Sequence, residues 1–346
     1  MKQVFAKALA ALMCASNAAA HNILDYGAIV DKTSHHAEVT NSMAIQEAIL
    51  AAHSDENDDR VVEIPAGLTF SSLPIRTDNV KDITIQIDGT LLASKDYKSY
   101  PTVSSEHKEL KIEDFFAFYD CDGLTFKGTG MIDGQGFMWW MRELLQKNPH
   151  NRPNLVNFRR VRNSEWTGIK LMNSAYYHLN TRDIDQAYFH DFEIEVDVAS
   201  QRHLSKLISA LPFPLNTDGI DPAGSNILIE RVNVTNYDDA VAVKPSDKKY
   251  KIAQCSENIM VRDMKVWWSV GLTVGSVPAE DDYNCIRNVT FMDSVMHHPY
   301  KGIYVKTNPG DTTSMLPGSG GEITDITYDN IEIHNPVWWG IYIGPQ

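Results

Sequence analysis

In the last third of the chain, apolar residues fall at alternate positions in short bursts, and the bursts recur as a set. Asn226-Ile227-Leu228-Ile229 leads through Val232-Asn233-Val234 to Val241-Ala242-Val243. Asn258-Ile259-Met260-Val261 leads through Met264-Lys265-Val266 to Leu272-Thr273-Val274, and Asn288-Val289-Thr290-Phe291 through Val295-Met296 to Ile303-Tyr304-Val305. Asp325-Ile326-Thr327-Tyr328 leads through Ile331-Glu332-Ile333 to Ile341-Tyr342-Ile343, so successive units start 32, 30 and 37 residues apart. Alternation of period two marks half-buried strands, and these bursts are too short and too β-branched for a helical repeat. Three short strands recurring about every thirty residues predict a stack of coils in which each strand pairs with its counterpart in the next coil. The expected fold class is therefore all-β, a single-stranded parallel β-helix. Leucine-rich and propeller arrays lack their signatures here. Fainter coils precede the clear ones at Ile83–Ile87, Leu124–Phe126, Trp166–Leu171 and Phe192–Val196. Aligning the third strands puts Asp239, Val270, Lys301 and Trp339 in one row, and Lys244, Gly275, Lys306 and Gly344 in another.

A solenoid needs its ends covered, because an open coil exposes core and unpaired backbone. Residues 41–52 place Ile45, Ala48, Ile49 and Ala52 on one helical face and read as an amino-terminal capping helix. At the other end the chain stops just after Ile341-Tyr342-Ile343, which suggests further coils or a cover from another chain. Lys2 and Lys7, the apolar stretch that follows, and Ala18-Ala19-Ala20 have the layout of a cleavable secretory signal. Residues 1–20 are thus expected to be removed, leaving 21–346 as one β-helix domain. No later stretch is apolar and long enough to span a bilayer.

Composition adds limits. With 43% hydrophobic and 22% charged residues, the chain has the balance of a soluble globular protein. A net charge of −14 argues against nucleic acid and anionic membrane surfaces as partners, and an anionic ligand would need a local basic patch. In an oxidising compartment Cys255 and Cys285 can pair, leaving Cys121 free or buried. Asn233-Val234-Thr235 and Asn288-Val289-Thr290 are sequons.

The candidate chemistry lies in carboxylates. Asp218 stands in Asn216-Thr217-Asp218-Gly219-Ile220-Asp221, and Asp238-Asp239 abuts the apolar run Ala240-Val241-Ala242-Val243. Asp-Gly is also an ordinary turn pair, but two adjacent carboxylates at the end of a buried strand repel each other and require a reason. Hydrolysis of a glycosidic bond takes one carboxylic acid for the leaving oxygen and a second carboxylate on the other face of the sugar. Clustering keeps one of the group protonated. Trp267-Trp268 and Trp338-Trp339 are either sugar-stacking rings or core packing.

The chain resembles glycoside hydrolase family 28, the polygalacturonase-like enzymes. Asn216-Thr217-Asp218-Gly219 is similar to the family's Asn-Thr-Asp-Gly motif, and Tyr237-Asp238-Asp239-Ala240-Val241-Ala242-Val243-Lys244 to its paired-Asp strand. Asp25-Tyr26-Gly27-Ala28 and Gly128-Thr129-Gly130 through Asp133-Gly134-Gln135-Gly136 also fit. The resemblance implies a right-handed β-helix and inverting hydrolysis, with Asp238 as general acid and Asp218 and Asp239 positioning and deprotonating water. No metal or cofactor is implied. Inverting geometry implies roughly 6.5–9.5 Å between acid and base. Asn216, Lys301, Tyr304 and Lys306 are the implied or candidate substrate contacts, with surface exposure the alternative for the lysines. Two positions depart from the family: Val270 stands where Gly-His-Gly has its histidine, and Tyr304 where Arg-Ile-Lys has its arginine. Arginine grips carboxylates bidentately, so its loss fits a neutral or decorated polymer as well as plain polygalacturonate. The expectation is a secreted, monomeric hydrolase of pectic cell-wall polysaccharide. The alternatives are a non-catalytic carbohydrate-binding β-helix and a polysaccharide lyase or epimerase on the same scaffold.

Overall fold

The computed structural model describes residues 20–55, 60–104, 110–148, 150–198, 213–246, 252–277, 284–307 and 320–345. The expected signal segment lies outside them except for Ala20. The chain winds as a right-handed parallel β-helix. One nine-stranded sheet runs in chain order through Ile75–Asp78, Phe116–Tyr119, Val156–Arg159, Leu179–Arg182, Ile220–Asp221, Asp239–Val243, Gly271–Val274, Lys301–Thr307 and Trp339–Pro345. A fifteen-stranded sheet carries the other strands of the coils. Outside the coils, Thr102–Ser104 and Leu110–Ile112 form a small antiparallel pair.

The repeat reading holds, with one difference. The first two bursts of a unit merge into single bent strands at Gly224–Thr235, Asn284–His297 and Gly321–His334. The bend is taken by one residue with left-handed backbone, Arg231, Asp293 or Asn330, so hydrogen bonding continues across a corner that the polar spacing suggested would be a break. At the preceding corner Asn226, Asn258, Asn288 and Asp325 all have φ between 51° and 58°. Asparagine and aspartate tolerate this region better than other side chains. The stacked amides also bond along the column, Asn258 to Asn226 at 3.2 Å and Asn288 to Asn258 at 2.7 Å. The sequon residue Asn288 is thus exposed but engaged.

Inside the coils, identical strand registers stack apolar side chains in columns. Phe126 meets Phe118 with ring centroids 5.0 Å apart, Phe158 at 5.2 Å and Trp166 at 5.0 Å, all fully buried. The capping helix spans His35–Ser54, six residues longer at its start than the apolar spacing indicates. Its first turn is polar and is set by Ser34, whose hydroxyl accepts the Ala37 N–H at 3.3 Å. Ile45, Ala48, Ile49 and Ala52 are buried as expected, and Asn41 pins the helix to the first coil through Ile29 and Ser71. A second helix, Phe137–Leu144, was not legible as a repeat element. Cys255 and Cys285 form a disulfide, and Cys121 is free and buried. In the last coil Ile341 and Ile343 are exposed.

Replacing Phe126 by alanine opens a cavity in the middle of the aromatic column and is expected to cost about 3–5 kcal/mol. Met43→Ala, on the solvent side of the capping helix, should stay within about 0.5 kcal/mol. Urea titrations of the two variants check the contrast; equal midpoints would mean that the column does not carry the stability assigned to it.

Candidate active site

The nine-stranded sheet brings the three sequence-identified carboxylates together. One oxygen from each of Asp218, Asp238 and Asp239 lies within 4.8 Å of the others. That is closer than the 6.5–9.5 Å expected between an inverting acid and base. Two acceptors each about 2.8 Å from one water, at the tetrahedral angle, stand about 4.6 Å apart, so the spacing suits carboxylates that share a single water. Asp218 and Asp239 are buried, while Asp238 is the most exposed of the three.

Local structure explains how Asp239 reaches this cluster. Strict alternation would put it on the same side as Val241 and Val243, which belong to the core. The register shifts between Asp239 and Val241, with Asp239 opposite Gly271 and Val241 opposite Leu272. The extra residue is a β-bulge, which re-aims one side chain. The row expected from alignment is corrected accordingly, because Asp239 pairs with Gly271 and not with Val270. The other row holds, with Lys306 opposite Gly344. Freed from the core, Asp239 accepts the Thr273 hydroxyl at 2.6 Å and forms an ion pair with Lys306.

Asp238 accepts the backbone N–H groups of Asn216 at 2.8 Å and Asp239 at 2.9 Å. Asn216 has left-handed backbone, and its side-chain oxygen accepts from Arg152 at 2.9 Å. Asp218 is held through its main chain. The carbonyl accepts from the N–H of His178 at 2.9 Å and lies 3.0 Å from the His178 Nδ1. Burial pushes the His178 pKa down to about 4, and its Nε2 accepts the Ser174 N–H at 3.3 Å. The neutral ring therefore carries its proton on Nδ1 and donates it to Asp218. Asn236 donates to the carbonyls of Thr217 and Asp239, tying the two carboxylate-bearing segments to each other.

Two lysines answer part of the charge of these carboxylates. Lys244 lies 3.8 Å from Asp218 and 3.9 Å from Asp221. Burial, then Asp238 and Asp221, raise Asp218 well above the ordinary carboxylate range against the opposing pull of Lys244. Burial and the Asp239 charge raise Asp238, and burial takes Asp221 to about 6. Burial alone would lower Lys244, but Asp221 and Asp218 outweigh it and raise its pKa. The three clustered oxygens have the hard-donor character that suits a cation, yet two ammonium groups already supply positive charge there.

Among the candidate contacts, Lys306 is 4% exposed, which rules out a solvated surface lysine. Lys301 lies over the Tyr304 ring at 3.6 Å and the Tyr342 ring at 4.5 Å. Tyr304 itself is buried beneath them, and its hydroxyl donates to the Pro345 carbonyl at 3.2 Å. Val270 packs with Tyr300 and Tyr304 as an apolar wall, and its N–H donates to the Asp238 carbonyl. Trp338 and Trp339, at the last described coil, are exposed beside Tyr300 and Tyr342. Trp267 and Trp268 stack on His297 and His298 instead. Sequence reasoning missed Asp221 and Lys244 as participants although both stand in the quoted motifs, and missed His178 and Arg152, which only the register brings to the site.

The sequence pattern described as Glycosyl hydrolases family 28 matches residues 56–346. Relatives include an exopolygalacturonase of Platanus acerifolia, 25% identical over 74% of this chain and 59% of its own length. Endopolygalacturonase I of Aspergillus niger is 25% identical over 82% of this chain and 64% of its own. The chain thus spans about three-fifths of the length of these relatives. Among solved structures, an exopolygalacturonase from Thermotoga maritima superimposes with a TM-score of 0.70 at 22% identity, covering 94% of this chain and 75% of that one. Endo-xylogalacturonan hydrolase from Aspergillus tubingensis gives 0.65 at 22% identity, covering 87% and 74%. At that identity the structures establish the fold.

The carboxylate cluster makes stability depend on pH. Asp221 titrates at about 6 in the folded protein, against about 3.9 for an unfolded aspartate. The folded state holds the proton more tightly, so this contribution to stability is complete below about pH 4 and lost as pH rises through about 6. Asp221→Asn should therefore stabilise the protein at pH 7, by on the order of 2 kcal/mol, with little gain at pH 4. Urea midpoints at the two pH values measure this, and an equal effect at both would mean that Asp221 ionises normally.

Proposed function

The chain belongs to family 28 of the glycosyl hydrolases, and from that premise we propose that it hydrolyses α-glycosidic bonds in a pectic polysaccharide with inversion. The observation that carries this reading is the set of three carboxylate oxygens within 4.8 Å, one of them on the most exposed aspartate of the three. Asp238, the most exposed of the three, is the one a leaving oxygen can reach, and its raised pKa, a direction it shares with Asp218, suits a group that must be protonated before it acts. Asp218 and Asp239 hold a water between them. In the reaction the water oxygen bonds to the anomeric carbon as the bond to the leaving oxygen breaks. The proton of Asp238 passes to the leaving oxygen, and a proton of the water passes to the Asp218–Asp239 pair. Lys306 and Lys244 offset the negative charge that the pair carries before it takes that proton. Inversion rests on the family, while the short carboxylate spacing accounts for how one water is oriented.

Asn216 positions Asp238 and presents its amide to the substrate. Lys301 and Lys306 are the cationic contacts at this subsite, and buried Tyr304 acts by supporting them. Trp338 and Trp339 offer apolar ring faces to a sugar. Residues 21–346 are read as one catalytic β-helix domain acting as a monomer, which the assembly of the site from a single chain supports. The Cys255–Cys285 disulfide supports secretion into an oxidising compartment after removal of residues 1–20. None of the helices among the described residues is long and apolar enough to cross a membrane.

Reducing-end release from polygalacturonate, xylogalacturonan, rhamnogalacturonan and neutral glycans tests the reading. Asp238→Asn preserves shape and removes the acid, so release should fall by roughly 10²–10⁴-fold, with circular dichroism unchanged. Full activity in that variant would remove Asp238 from the acid role, and an unsaturated product absorbing in the ultraviolet would replace hydrolysis by elimination. Proton NMR of the first product should show the inverted anomer.

A further inference from the structure

Upstream of the carboxylates, the nine-stranded sheet carries a second constellation in the same register. Arg76, Ala117, Asn157, Asn180 and Asp221 lie in one row across five strands. Two residues along each strand, Asp78, Tyr119, Arg159 and Arg182 make the next row. These positions alternate with the core residues Phe116, Phe118, Val156, Phe158 and Leu179, so they lie on the other face of the sheet, where Arg76, Asp78 and Arg182 are exposed while Ala117, Asn157, Tyr119 and Asp221 are themselves covered. A cleft of about 440 Å³ opens over them and is lined by five arginines, Arg76, Arg152, Arg159, Arg160 and Arg182. That concentration is notable on a chain of net charge −14.

The guanidinium groups are held for planar recognition. Arg76 and Arg159 lie over the ring of Tyr119 at 4.5 and 5.0 Å, and Arg152 over Tyr176 at 4.9 Å. A stacked guanidinium loses little freedom on binding, although the terminal nitrogens of Arg152 already donate to the Ala175 and Leu215 carbonyls and to Asn216. Some of the charge is answered internally, since Arg76 pairs with Asp78 and Arg160 with Asp120. Arg182 is exposed and makes no ion pair among the described residues. The acidic groups in the cleft are muted, because burial raises Glu113 to about 7 and also raises Asp114. Asp114 is further occupied by Asn154 and Asn157.

We propose that this cleft is a distal subsite that takes the carboxylates of uronate units in the polymer whose cleavage is proposed above, and the inference rests on that reading for its direction along the chain. Strands are spaced about 4.8 Å apart, so Arg182, Arg159 and Arg76 stand one, two and four strands from Asp221. Arg152 joins the two regions, lining the cleft while donating to Asn216 at the carboxylate cluster. Carboxylate recognition is thus displaced from the position of Tyr304 to the arginine rows, where bidentate pairing is available. The polymer would need acid groups away from the scissile bond, whatever its decoration at that bond.

Binding is measured on the Asp238→Asn protein, so that turnover plays no part, by affinity electrophoresis in polygalacturonate, in its fully methyl-esterified form and in neutral galactan. Retention by polygalacturonate is expected to exceed retention by the other two. Arg182→Gln should weaken it about tenfold, the loss of one charge-assisted pair, and Arg182→Lys by less, while retention by the esterified polymer is unchanged. Equal retention of parent and Arg182→Gln, or equal retention by acid and ester, overturns the subsite. The two proposals fail separately. Arginine-dependent retention without reducing-end release by the wild type removes the hydrolase and leaves the cleft; release with no effect of Arg182 does the reverse.

Discussion

Everything in this molecule depends on strand pairing between coils at a constant spacing of about 4.8 Å. Parallel pairing passes the register of one coil to the next, so a side chain is defined by its row as much as by its own neighbours in sequence. The same constraint builds the interior and the exterior. Inward rows stack Phe118, Phe126, Phe158 and Trp166 into a column. Outward rows gather carboxylates, lysines and arginines from segments that are tens of residues apart.

The carboxylate cluster is a local departure from that order. Without the bulge after Asp239, alternation would turn this carboxylate into the core beside Val241 and Val243. With it, Asp239 meets Thr273 and Lys306. Burying charged groups is costly unless they are paired, and pairing here is incomplete. One oxygen of Asp218 and both of Asp221 lack a hydrogen-bond partner among the described residues. The raised pKa values of Asp218, Asp221 and Asp238 express that unrelieved cost. The scaffold holds the cluster because the surrounding main chain is fixed by His178, Asn216 and Asn236.

Charge is distributed unevenly along the outward face. The rows near the carboxylates carry Lys244, Lys301 and Lys306, the two rows upstream carry arginines, and the ledge beyond Lys301 is aromatic. A long polymer lying across the strands would meet these zones in turn. On the reading proposed above, such a layout separates chemistry from affinity, since groups that hold the chain far from the scissile bond need not perturb the pKa values on which the reaction depends.

The repeated alternation of apolar residues was enough to determine the coil architecture and the stretches that form strands, because burial of one strand face is written locally as period two, and the capping helix was legible from the helical spacing of Ile45, Ala48, Ile49 and Ala52. The Asn-Thr-Asp-Gly segment and the Asp pair were legible as chemistry, and two cysteines one coil apart as a disulfide. Other features were decided only by the fold. The bulge after Asp239 depends on which residue the neighbouring strand presents, and Gly271 is 32 residues away. Burial of Tyr304 and Lys306 depends on packing from the coils on either side. His178, Arg152 and the arginine rows have no local signature, since a histidine or arginine among polar residues reads the same whether its neighbours in space are solvent or carboxylates. Alternation specifies which way a side chain points, and only the stacking of coils specifies what it meets.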